Sequence, residues 1–104
     1  MNIQITAKKI DIAQDLRDAI KEKLSRLDRF NPKTQSLEAV IKAEERGVSC
    51  ELILRVENHD SQVIAVSGET VQAAVDVAVG KAERQLRKGK ERDSVRRRAK
   101  PQGK

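Results

Sequence analysis

At 104 residues the chain has room for one domain of ordinary size, and with no Trp, no Tyr and a single Phe (Phe30) its core must come from Val, Ile, Leu and Ala. The net charge is +6, and the excess is segregated: residues 1–80 hold 11 Lys/Arg and 13 Asp/Glu, whereas residues 81–104 hold 11 Lys/Arg against Glu83, Glu91 and Asp93, a balance of +8. That distribution points to a polyanionic partner, and the shortage of aromatic rings excludes a base-stacking platform for unpaired nucleotides.

Met1–Thr6 alternates, with Ile3 and Ile5 on one side and Asn2, Gln4 and Thr6 on the other, the pattern of a half-buried strand. No charged-then-apolar leader opens the chain and no apolar run approaches the ~18 residues of a membrane span, so a reducing cytoplasm is the expected setting. Asp11 followed by Gln14 suggests a weak capping box. Leu16, Ile20, Leu24 and Leu27, flanked by Ile12 and Phe30, then form an apolar stripe that predicts a helix over residues 13–30. Asn31-Pro32 ends it, because the residue before proline is driven out of the helical region.

Strands are expected over Gln35–Glu44, over the alternating run from Val48 to Glu57, and over Gln62–Ser67, separated by turns at Glu45-Arg46-Gly47 and Asn58–Ser61. Gly68 breaks the pattern and Thr70 can cap a second helix, whose apolar face is Val71, Ala74, Val75, Ala78, Ala82 and Leu86. From Arg92 onward nothing apolar recurs. The reading is therefore a domain over 1–92 and a disordered basic tail over 93–104. The fold class is α+β: a β-α-β-β-β-α two-layer sandwich with two helices on one face of a four-stranded sheet.

Catalytic chemistry finds little support. His59, the only histidine, falls in a turn and reads as a solvated residue without clustered ligands. Cys50 is in phase with Leu52 and Leu54, which makes it a core thiol; being alone, it excludes an internal disulfide or a cysteine zinc site. Glu44 and Glu45 point to opposite sides of a strand end. Gly47, Gly68, Gly80 and Gly89 match neither common phosphate-cradling loop. No enzyme, cofactor, metal or small-molecule substrate is expected.

The basic residues carry more. Lys81, Arg84 and Lys88 are spaced by three and four, which stacks them within about 60° on a helix, and Arg92 extends the row if the helix continues. On the first helix Lys23 and Arg26 edge the Leu stripe, with Arg29 further round. Two readings stand here. In one, the cations snorkel their stems over the helix edges, and this is favoured for the first helix alone. In the other they bind phosphates of folded RNA, and this is favoured for the second helix, where Glu83 and Glu91 cannot neutralise the row. Membrane attachment is the weaker reading and no membrane partner is expected, because the apolar face of the second helix is rich in small residues and needed by the core.

MNIQIT, LRDAIKEKLSRLDRF and above all SGETVQAAVDVAVGKAERQLRK together resemble the ribosome hibernation promoting factors and ribosome-associated translation inhibitors, over about residues 1–92. The resemblance implies a fold related to double-stranded-RNA-binding domains. It implies binding to the small ribosomal subunit and its rRNA, in the channel where messenger and transfer RNA would sit, so that translation is blocked and idle ribosomes are protected under stress or in stationary phase. The family's basic residues fall on Lys23, Arg26, Lys81, Arg84 and Lys88. Gln72 stands where the family often has an aromatic residue, and Ala13 where many members cap the first helix with Thr or Ser. The protein is expected to be monomeric when free. The alternatives are a general double-stranded-RNA-binding module or RNA chaperone without ribosome preference, and a domain whose basic tail binds an acidic protein.

Overall fold

Four strands and two helices follow one another in the expected order: β1 (Asn2–Lys8), α1 (Gln14–Ser25) continued by a 3₁₀ turn (Arg26–Phe30), β2 (Thr34–Glu44), β3 (Gly47–Val56), β4 (Gln62–Gly68) and α2 (Val71–Ala99). These elements belong to a computed structural model that describes residues 1–99, with side chains described as far as Gly89. The strands lie side by side in chain order. β1 pairs with β2 in parallel, which requires a crossover, and α1 supplies it. β2, β3 and β4 are antiparallel neighbours joined by short turns.

Register follows from the alternation. Ile3 is opposite Leu37, which is opposite Leu54; Ile5 is opposite Ala39, then Leu52, then Ile64. Because side chains alternate with a period of two, these pairings collect the apolar residues of all four strands on one face. Leu37, Ala39, Ile41, Cys50, Leu52 and Leu54 are fully buried there beneath the helices. A slip of one residue would turn the entire set outward. At the β2–β3 turn Gly47 has φ +100, and a Cβ there would lie 2.3 Å from the carbonyl oxygen of Gly68. This turn needs glycine both for its backbone and for the close approach of β4's end.

α1 buries Ile20 and Leu24, and the 3₁₀ turn buries Leu27. Leu16 and Phe30 are only half-buried. The capping box expected from Asp11 and Gln14 does not form: the N-cap is Ala13, without a side-chain bond, so Asp11 lies two positions too early to reach the first free N–H groups. Gln14 Nε2 instead donates to Asp18 Oδ1 at 2.9 Å. Arg17 Nη1 donates to the Ile5 carbonyl at 3.2 Å and ties α1 to β1. Asn31 ends the segment in an extended conformation and accepts from the Lys33 N–H through its side chain, at 3.0 Å.

Thr70 caps α2 as its position suggests, accepting from the Ala73 N–H at 3.1 Å. Ala74, Val75, Ala78, Ala82 and Leu86 are buried against β3, β4 and the 3₁₀ turn. The small alanines let the helix lie low on the sheet. α2 does not stop near Arg92: its backbone is helical through Ala99, roughly 20 Å beyond Leu86 at 1.5 Å per residue. The good helix formers Lys, Glu, Arg and Ala sustain it without an apolar stripe. Of the tail expected to be disordered over 93–104, residues 93–99 are thus described as helix and 100–104 lie outside the described residues.

Candidate nucleic-acid interface

Both helices occupy the same side of the sheet and lie next to each other with sparse contact between them. On α2, Lys81, Arg84 and Lys88 are all exposed, and none of them is ion-paired among the described residues. Val77, one turn before Lys81 on the same side of the helix, is 49% exposed. It gives the stripe an apolar lower end. Arg92 continues the row in sequence and belongs to α2, but its side chain lies outside those described.

The cations of α1 are held differently. Lys23 is half-buried, and its ammonium donates across the helix–helix gap to Asp76 of α2. Arg26, at the start of the 3₁₀ turn, donates through Nη2 to Glu22 Oε1 at 2.8 Å. Arg29 is exposed in the same turn and has no ion pair among the described residues. Lys23 therefore reaches α2, but not the stripe. At about 100° per residue, Asp76 lies about 80° around the helix from Arg84 and about 140° from Lys81.

The two cationic sets accordingly do not merge into one even surface. Asp76 and Glu83, seven residues apart, share the flank of α2 that looks toward α1. Arg87 Nη2 meets Glu83 Oε2 at 3.4 Å, and its guanidinium carbon sits 4.8 Å from the centre of the Phe30 ring. Arg87 is thus a tie between α2 and the 3₁₀ turn. Asp76 and Arg87 are the residues that sequence reasoning passed over, and Glu83 entered it only as an acid unable to neutralise the row. The signal was available in their spacing, because Asp76 and Glu83 are about 20° apart on a wheel and Arg87 follows Glu83 by four.

The uncovered face of the sheet, as far as side chains are described, offers less to a polyanion. It has a shallow concavity of about 520 Å³, where Lys8 and Lys42 are offset by Glu44 and Glu51. The charges there cancel. Cys50 is fully buried, and burial, with a smaller contribution from Glu51, pushes its thiol up to about 11, so no nucleophilic thiolate forms at neutral pH. His59 is half-buried rather than fully solvated, in a turn where Asn58 takes a positive φ of 65. No group of three His, Cys, Asp or Glu side chains converges to hold a metal among the described residues. No described helix is long and apolar enough to cross a membrane.

Residues 3–94 match the family model described as Sigma 54 modulation protein / S30EA ribosomal protein. The ribosome hibernation promoting factor of Azotobacter vinelandii is 32% identical over 97 residues, covering 92% of this chain and 89% of that protein. The factor of the same name from Pseudomonas putida is 30% identical over 93 residues, covering 88% and 89%. Among solved structures, the N-terminal domain of Thermus thermophilus Protein Y superposes with a TM-score of 0.75 at 24% identity, covering 85% of this chain and 98% of that one. A ribosomal subunit interface protein from Coxiella burnetii gives 0.79 at 21%, covering 88% and 99%. These last two are likenesses of fold.

Proposed function

The chain belongs to the Sigma 54 modulation protein / S30EA ribosomal protein family, and from that premise we propose that it is a ribosome-associated hibernation factor acting by occupancy rather than catalysis. It binds the small subunit through rRNA phosphates, fills the channel used by messenger and transfer RNA, and inhibits translation under stress or in stationary phase in the cytoplasm. The observation that carries this reading is the row Lys81, Arg84 and Lys88, exposed and without an ion pair among the described residues, on a helix whose adjoining face is locked into the core. A rigid row of like charges is at its lowest energy when phosphates answer it, and a helix already fixed by packing loses little side-chain and backbone freedom on binding. The relatives named as hibernation promoting factors support the biological setting.

The absence of a stacking platform favours phosphate contacts over base readout, so the surface itself reads shape. What separates a ribosome factor from a general duplex binder is selectivity. Cosedimentation with purified small subunits, in the presence of excess generic duplex RNA, makes the distinction: retention is expected, and full competition by the duplex would favour the RNA-chaperone reading. Survival of a pulled-down complex after nuclease treatment would instead indicate an acidic protein partner. In cells, sedimentation of ribosomes from stationary-phase cultures should place the protein with the small subunit or with assembled ribosomes.

A further inference from the structure

Asp76 stands between two sets of cations. Its carboxylate is 58% exposed and is engaged by Lys23, itself 43% exposed. Glu83 lies on the same flank of α2 and is engaged by Arg87. On one side of this flank is the row of Lys81, Arg84 and Lys88, without an ion pair among the described residues; on the other is the end of α1, with Arg26 and Arg29. A carboxylate at this place repels any phosphate that crosses it, and the single charge of Lys23 cannot neutralise both.

We propose that Asp76 and Glu83, each holding one cation, form a seam without free positive charge that divides the RNA surface into two cationic stations, selecting folded RNA, whose phosphates arrive on two separate strands, against a continuous single strand. This role rests on the RNA-binding function proposed for the chain. A duplex or folded rRNA segment can set one strand on the α2 row and another near the end of α1, leaving the groove over the seam. A single strand that passes from one station to the other must bring a phosphate to Asp76. It then either faces that carboxylate or takes Lys23 from it and leaves Asp76 unanswered. Both outcomes weaken it.

The test is a titration of the full chain and its Asp76→Asn variant with two probes of equal length, poly(U) and a blunt RNA duplex, over about 50 to 200 mM salt. Asp76→Asn should tighten poly(U) by roughly three- to fivefold at the low-salt end, the size of one exposed ion pair. It should also steepen the log–log salt dependence by about 0.7, one further phosphate contact on a single strand. Adding Lys23→Gln should remove both gains. Duplex affinity should stay within about twofold. Unchanged or weaker poly(U) binding, or equal tightening of both probes, overturns the proposal; weakening of both would make Asp76 only a support for Lys23. Glu83→Gln probes the same seam should Asp76→Asn melt early, with the same tightening of poly(U) expected and Arg87→Gln, its own partner, as the substitution that removes it. Small-subunit binding by the unaltered chain is measured in parallel. If it is absent while the two probes diverge as stated, the ribosomal reading fails and the seam stands.

Discussion

On α1, Lys23 and Arg26 are each answered by an acid within the fold, Asp76 and Glu22, while on α2 the row Lys81, Arg84 and Lys88 is left unanswered among the described residues. The two helices rest on the same sheet face and are both rich in cations, so composition does not separate them. What does is the placing of the acids. Glu83 sits three residues before Leu86 and four before Arg87, and the helix turns it away from the row and toward the 3₁₀ turn. The row thus keeps a repulsion of a few tenths of a kcal/mol per neighbouring pair, which α1 has already relieved internally. An incoming phosphate gains more from cations that give up no partner.

The largest effect expected from that difference comes from reversing the row. Lys81→Glu with Arg84→Glu and Lys88→Glu should lower small-subunit affinity by at least about a hundredfold at moderate salt, since three contacts become repulsions. The fold should survive, because all three side chains are exposed. Circular dichroism checks this, as does Cys50. With the thiol buried and held near 11, it should react with an alkylating reagent as slowly in the variant as in the parent. A fast-reacting triple variant would mean that these stems cover the core edge.

A smaller loss, about tenfold, is expected on deleting residues 93–104, which carry five cations and Asp93. The melting temperature should hardly change, because the segment has no apolar periodicity with which to join the core. Smaller again is the effect of Lys23→Gln or Arg26→Gln: about two- to threefold in affinity each, measured by the same titration, because each cation must first leave its acid. Stability should fall by no more than about 1 kcal/mol, the range of exposed ion pairs. If either single variant costs as much as the reversed row, the contrast between the helices is wrong.

Much of this molecule was legible before its structure. Period-two alternation in Val48–Val56 and the Leu stripe of α1 are dictated by burial, and burial also sets the register and the place of Cys50. The start of α2 could be read because Thr70 bonds to its own first turn. Two things were not legible for physical reasons. The cap of α1 depends on backbone geometry at Ala13, which no side chain announces. The reach of α2 to Ala99 rests on intrinsic propensity, a weak signal beside hydrophobic periodicity. For the candidate surface, sequence spacing grouped Lys81, Arg84 and Lys88, but the pairing of Lys23 with Asp76 spans two helices far apart in the chain. Tertiary packing alone creates it.

Which helix would release counterions in the proposed complex with RNA is the central question for this molecule. The direct measurement is the slope of log affinity for small subunits against log salt, for the parent chain, the variant with Lys81, Arg84 and Lys88 replaced by Gln, and the variant with Lys23 and Arg26 replaced by Gln. Neutralising the α2 row should flatten the slope by about 2 to 3, whereas neutralising the α1 pair should flatten it by less than about 1. Equal flattening by both variants, or no flattening from the α2 row, would contradict the claim that the α2 stripe carries the interaction.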